Sequence, residues 1–567
     1  MIHDATAGVF EDTYDWFKFS PAYLPGFERN AFWGQLSNYQ SLGDQLFDDD
    51  PANDYYLLGG HMDVMGMGRA GIMVDWNSDQ DPAYIEPYGG SATNGYAEES
   101  NVVYRDIDSD GTLDYRRELY GRGTALEQDS SGDVYAVYGM GGVAGFDLGA
   151  GVRMEWFTSQ PTYNYDNWFD SDYGPFDWVG RERQYDLVTG QLLYTYDESS
   201  DGHWNLAYSV WGIQLGARSQ NLVSGLDLVV DVSPQLWSIE NDYEFRLELR
   251  ENEAPADPNV FDEASLMVAE TGSFAGDDLD DLDDYPLPGS GLGVEARVKA
   301  TYDLGGGVST RGQVIYETAG IQAQDAFFKL DYEETLRQTD WSGGMPAVRF
   351  EQGREMIHVT WPTAEMGMTN LEAEGLVLFE GVAWRVGGGV RLGTSEQTDA
   401  REMKFDFDYR LRYDPGTGDP SSAYTITGRG GETWRTEMRM ASNTLALPVA
   451  VVFNLLETFD LMLGAEHVVT QSEYTQQSEL IDANFIEFRQ TYDDGTQGSP
   501  GGGPTEFSNF LDEPQATNAS NYTVSHDTIF TYGASWWAAP DALRFDVMGF
   551  SDLLHLYNYR VSANIFF

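Results

Sequence analysis

The chain contains no cysteine, so it can form neither disulfides nor thiolate metal sites. That is compatible with passage through an oxidising compartment. Lysine is almost missing: Lys18, Lys299, Lys329 and Lys404 are the four among 32 basic residues, and the rest are arginine. Against 93 acidic residues the formal charge is −61. This excludes nucleic acid as a partner, because neutralising phosphates needs basic stripes. An acidic, lysine-poor surface leaves two readings open, hydration in a saline habitat or loops that repel aggregation. No apolar run reaches the roughly eighteen residues that a membrane-crossing helix needs. The first residues, Met1 to Asp4, have neither the basic region nor the apolar core of an export signal. An exported chain with this numbering would be mature or truncated. No G-x-S-x-G, H-E-x-x-H or P-loop motif occurs, and none of His3, His61, His203, His358, His467, His526 and His555 stands in a hydrolase pattern. An enzyme is not expected, and no cofactor is required.

What is present suits strands. Aromatic residues make up 14%, and there are 62 glycines, a mix fitting strands and tight turns better than helices. Apolar and polar residues alternate with period two in one segment after another. In 292–302, Leu292, Val294, Ala296, Val298, Ala300 and Tyr302 share one face, opposite Gly293, Glu295, Arg297, Lys299 and Thr301. A buried sheet seldom carries Glu, Arg and Lys in succession on one face, whereas a wall with lipid outside and water inside does. The same pattern runs through 148–156, 459–466 and 543–547. Mean hydropathy is low at −0.41, which does not oppose a membrane barrel, because only alternate residues meet lipid.

The expected fold is all-β: a transmembrane antiparallel β-barrel of about sixteen strands (roughly 14–18), with short periplasmic turns and long extracellular loops. The strands are expected at 27–40, 54–62, 67–78, 133–141, 147–158, 204–217, 225–250, 291–303, 307–318, 369–381, 385–396, 444–456, 459–472, 522–537, 542–550 and 556–567. Loops are expected at 79–132, 159–203, 251–290, 319–368, 397–443 and 473–521, with hairpins of their own at 102–120 and 183–197 and a further alternating strand at 403–413. The strand 225–250 is too long for the membrane alone, so its later half should project outward. Residues 1–26 form a periplasmic or lumenal segment, and 27–567 a single barrel.

Alternation turns Arg153, Glu155, Glu295, Arg297, Lys299, Arg311, Glu317, Glu372, Glu374, Arg391, Asp460, Arg544, Asp546 and Arg560 inward. As pore-lining residues of both signs they would set a transverse field that favours polar solutes; alternatively they pair and fill the barrel. Asp106, Asp108, Asp110 and Asp114 have the alternate-Asp spacing of a calcium loop, with Gly111 at the turn, although Arg117 stands where the usual twelfth-position Glu would be. The competing reading is a polar hairpin with an Asp-Gly turn. The acidic run Asp277 to Asp284 reads as a solvated loop.

The last residues, Tyr557 to Phe567, place Tyr557, Tyr559, Val561, Ala563, Ile565 and Phe567 on one face and Asn558, Arg560, Ser562 and Asn564 on the other; penultimate Phe566 departs from the polar face. This strand resembles the assembly signal of bacterial outer-membrane barrel proteins. The resemblance implies residence in the bacterial outer membrane, contact with its lipid and insertion by the barrel-assembly machinery. Within that class the chain looks most like a porin-type channel for small hydrophilic solutes. A surface protein anchored by a closed barrel is one alternative. A fatty-acid-transporter type, with an N-terminal plug, is another; residues 1–50 carry no motif for such a plug.

Overall fold

A computed structural model describes residues 5–36, 54–81, 96–105, 112–124, 127–160, 178–220, 223–252, 263–271, 287–324, 326–340, 347–498, 516–540, 542–550 and 559–567. In chain order the strands are β1 (Ala31–Leu36), β2 (Asp54–Asp63), β3 (Arg69–Asp81), β4 (Tyr96–Arg105), β5 (Tyr115–Thr124), β6 (Glu127–Val143), β7 (Phe146–Gln160), β8 (Trp178–Asp186), β9 (Leu192–Gln220), β10 (Leu226–Asn252) and β11 (Glu263–Thr271). They continue with β12 (Gly289–Gly305), β13 (Val308–Ala323), β14 (Phe327–Asp340), β15 (Ala347–Glu380), β16 (Trp384–Asp414), β17 (Tyr424–Leu456), β18 (Phe459–Tyr492), β19 (Gln497–Gly498), β20 (Ala516–Ala539), β21 (Leu543–Phe550) and β22 (Tyr559–Phe566).

Sixteen of these close into an antiparallel ring. The order is β1, β2, β3, β6, β7, β9, β10, β12, β13, β15, β16, β17, β18, β20, β21, β22. The seam is β22 on β1, with Trp33 opposite Asn564. Just past it, Asn30 and Phe567 exchange backbone hydrogen bonds of 3.2 and 3.1 Å. Every expected wall strand has its counterpart. The short-turn end holds tight connections. At 305–307 three successive glycines have φ of +81°, +67° and +79°, a run that residues with a Cβ adopt only under strain.

The two faces of the wall differ as alternation requires. On β12, Leu292 is 70% and Val298 41% exposed, whereas Lys299 is 2%. Val314, Leu371, Leu392, Leu447, Leu463, Phe530 and Ile565 continue the exposed apolar belt around the ring.

The other end corrects the expected loop boundaries. β15 begins at Ala347 and β17 at Tyr424, while β16 runs to Asp414 and β18 to Tyr492. Much of 319–368, 397–443 and 473–521 is therefore strand. Beyond lipid the requirement for an outer apolar belt ends although backbone pairing continues; Ile357, Val359, Phe405, Phe407 and Ile426 stay buried there, and the strand expected at 403–413 lies within β16. Cross-strand ion pairs accompany it: Arg439 with Glu396 at 2.6 Å, Arg435 with Glu402 at 2.8 Å, Arg429 with Asp408 at 2.8 Å. The outer half of β10 pairs β11 from Tyr243 to Glu251, as its length requires, and β11 continues through β14 to β15. A second extension runs β9, β8, β5, β4; it contains the hairpins expected at 102–120 and 183–197.

Candidate functional site: a lumenal segment and the cavity above it

Residues 5–27 lie inside the ring. Their local structure follows from a few side chains. Asp12 accepts from Tyr14 N at 2.9 Å and Asp15 accepts from Asp12 N at 2.7 Å, a reciprocal cap that starts helix α1 (Thr13–Phe19). Ser20 accepts from Ala22 N, and Pro21 opens a 3-10 turn over Pro21–Gly26.

Apolar side chains seat the segment. Phe17, fully buried, packs with Trp33, Leu57, Met73, Tyr135 and Val137; its ring meets Trp33 edge-on at 5.7 Å. Burying such a side chain contributes roughly 1.5–3 kcal/mol. Ala5, Val9 and Phe10 pack with Ala450, Val452, Met462 and Met548 on the far wall. Close approach also needs small wall residues: a Cβ on Gly149 would lie 2.3 Å from the Pro21 carbonyl carbon.

Polar contacts fix the segment from several strands. Lys18 lies 3.0 Å from both Asp75 and Asp133. Ser20 donates to Asp231 at 2.8 Å. Arg297 donates to the carbonyl oxygens of Lys18 and Phe19. Glu11 binds Lys299 and, at 3.2 Å, Arg311, whose other nitrogen donates to Gly8 O at 2.9 Å. Thr531 donates to Ala5 O at 3.0 Å.

Of the two places expected for residues 1–26, periplasmic or lumenal, the described residues take the lumenal one; what sequence reasoning missed is how they are seated there. Residues 1–50 carry no plug motif, yet residues 5–27 fill the lumen near the short turns. The signal lay in the wall. Leu57, Met73, Val137, Val452, Met462 and Met548 are inward residues that a water-filled lumen would not select, and each packs on the segment. Phe566, the departure from the polar face, packs on the same cluster as Phe17 and lies 5.5 Å from the Trp537 ring.

The structure brings several of the inward charges together. Arg391 donates to Glu374 at 2.6 Å and to Glu466 at 2.8 Å, and Glu374 also binds Arg311 at 2.9 Å. Together with Glu11 these form one chain of alternating charge. Arg153 pairs with Glu155 and Glu295, and Glu295 with Arg297. Arg544 pairs with Asp546, which also accepts from Ser535, Ser562 and Asn564. Glu317 accepts from Gln235 and Asn370, each at 3.2 Å. Asp460 accepts from Asn454 at a turn, apart from the rest. Arg560 is half-buried on β22. In the C-terminal signal, Ile565 and Phe567 are exposed and Val561 half-buried; Tyr557 and the Tyr559 side chain lie outside the described residues.

Directly outward of the segment is a cavity of about 450 Å³. On its strands the segment touches Leu378, Gly387, Ala450, Val452, Met462 and Gly464. The cavity takes the next residues along the same strands, including Glu372, Glu374, Arg391, Thr444 and Glu466. The calcium candidates Asp106, Asp108 and Asp110, and the run Asp277 to Asp284, lie outside the described residues. Asp114 is described, and its carbonyl accepts from Leu187 N at 2.9 Å.

No described helix is long and apolar enough to cross a membrane. A closed antiparallel ring satisfies its own backbone in lipid, and this one is apolar outside and charged inside. The fold is that of an outer-membrane β-barrel. No protein-family model and no curated protein matches the chain. Solved structures resemble it. One is the TodX deltaS2S3 mutant monoaromatic hydrocarbon channel, 11% identical with a TM-score of 0.32, covering 100% of this chain and 96% of that one. Another is the P. putida toluene transporter TodX, at 10% and 0.24, covering 100% and 97%. A third is a mutant ferric enterobactin receptor from Pseudomonas aeruginosa, at 9% and 0.24, covering 95% and 80%. At this level of likeness the reading of function rests on geometry.

Proposed function

We propose that the barrel is a conduit for small hydrophilic solutes, closed at its periplasmic end by residues 5–27. The observation that carries this reading is the cavity directly above the segment. Its lining includes the carboxylates of Glu372, Glu374 and Glu466, the Arg391 guanidinium, amides and hydroxyls, beside Ala446 and Val468. Such a surface stays solvated for polar solutes, whereas an apolar solute would displace water from charged groups at a cost. Passage needs no covalent step.

A fatty-acid-type transporter draws support from the lumenal N-terminal segment, but it asks for an apolar pocket where this cavity presents Glu372, Glu374, Arg391 and Glu466. The anchored surface protein draws support from the ion-paired extension of the wall. On either reading the exposed belt meets lipid and the last strand is read by the assembly machinery. The alternate Asp residues of 106–114 are proposed calcium ligands at the rim.

Planar bilayers and sugar-driven liposome swelling test the conduit, using the parent and a variant lacking residues 1–27. The shortened chain should conduct in steady steps and swell liposomes, and the parent should do so far less. If the shortened chain keeps the heat-modifiable mobility of a folded barrel and stays silent, the conduit is excluded and the anchor takes its place.

A further inference from the structure

We infer that the cavity above the lumenal segment is a binding site for a small organic cation, an amine carrying hydrogen-bonding groups. The inference names the solute class for the proposed conduit and rests on that reading for its meaning in transport.

The argument begins with charge. Glu372, Glu374 and Glu466 line the cavity, and Arg391 is the one cation among its lining residues. Arg391 is already shared between Glu374 and Glu466. Arg311, which also serves Glu374, is held from behind by Glu11 and the Gly8 carbonyl. Glu372 faces the same space, exposed within the lumen, and has no cation partner among the described residues. The surplus is thus negative, and no neighbouring arginine is free to cancel it.

Neutral groups make the space a site rather than a bare charge. Gln313, Ser395, Ser442 and Thr444 line it, and none bonds another side chain among the described residues. Their hydroxyls and amide can accept from an ammonium or from a hydroxyl of the same molecule. No aromatic ring lines the cavity, so stacking of a flat apolar solute is not provided for. A chain charge of −61 raises the local concentration of cations before they enter.

Three probes of equal carbon length separate the classes: putrescine, butane-1,4-diol and succinate, a dication, a neutral diol and a dianion. Calorimetric titration of the full chain in detergent, at about 0.15 M salt, screens the rim charges over a Debye length of about 8 Å. Putrescine should bind, and the diol and succinate should not. Glu372→Gln should weaken putrescine at least about ten-fold, as loss of a charged partner does. Glu372→Asp should restore most of the affinity, and Glu333→Gln on β14 should change nothing. Heat-modifiable mobility verifies that each variant is folded. Equal binding of succinate or the diol, or an unchanged affinity in folded Glu372→Gln, overturns the site. If putrescine fails to bind while liposomes still swell, the site falls and the conduit stands. If putrescine binds and the shortened chain never conducts, the conduit falls and the site stands.

Discussion

Nη1 of Arg297 reaches the carbonyl oxygen of Lys18 at 2.8 Å, and that of Phe19 at 3.2 Å, so a cation of the wall caps the C-terminal end of the lumenal helix. Those carbonyls have no partner within so short a helix, and the helix end carries partial negative charge. At the other end, acidic Glu11 meets Lys299 and Arg311. The segment is therefore held by charges of the wall placed to suit it.

Removing the clamp on Glu11 should loosen the segment. Lys299→Gln with Arg311→Gln leaves Glu11 and Glu374 short of cations in a buried site, a loss of roughly 3–5 kcal/mol. Because the chain has no cysteine, Thr13→Cys is a unique reporter. Maleimide labelling of that thiol should accelerate strongly in the double variant. An unchanged rate would mean that the clamp does not hold the segment.

Space should matter as much as charge. A valine at Gly149 would collide with the backbone of Pro21 and Ala22, whereas Gly375 has nothing within 4 Å of its would-be Cβ. Gly149→Val should raise Thr13→Cys labelling and lower the unfolding temperature of the segment, and Gly375→Val should do neither. Equal behaviour of the two would contradict the packing.

The belt makes a quantitative claim. Val298 is exposed on the outer face, and Thr301, on the opposite face of β12, lies opposite Arg311 in register. Val298→Arg should cost roughly 2–4 kcal/mol of folding stability in lipid vesicles. Thr301→Arg should cost less. Folding yields that fall together would place both residues on the wrong faces.

At the rim, Asp186 accepts from Val188 N at 2.8 Å and Thr189 N at 2.9 Å. The Thr189 backbone N–H, then that of Val188, holds its carboxyl below the usual value. A lowered pKa in the folded state adds stability above the ordinary Asp range of about 4 and loses it as pH falls through the lowered value. Hydrogen-exchange protection of Val188 and Thr189 should therefore be flat from neutral pH down to that range and then fall. Asp186→Asn should abolish the pH dependence; a parent profile identical to that of the variant would refute the turn.

The wall was legible and the detail of its contents was not, for a physical reason. Lipid outside and polar groups inside impose a period of two, and Leu292 to Tyr302 display it without interruption. Above the membrane lipid no longer marks one face, so 397–402 of β16 and β17 before 444 read as loop, whereas the alternation of Phe405, Phe407 and Tyr409 kept 403–413 legible as a strand. The inward charges were legible as residues, but not their partners. Arg297, Lys299 and Arg311 look like channel lining until residues 5–27 are placed against them. The segment itself is short and carries only a local cap in its sequence. Its trace lies in strands where both faces are apolar, such as Val451 and Val452 on β17.

The ring closes by joining the first strand of the chain to the last, and that fixes a sequence of events in time. Closure must wait until Tyr559–Phe566 exist, because β22 is the partner of β1. Contacts so distant in sequence bear the largest loop-closure entropy and form slowly. Residues 27–30 join the enclosed segment directly to β1, so enclosure and closure happen at one place. A chain stopped short of Tyr559 would leave β1 and β21 as open edges, and open edges template the growth of neighbouring chains.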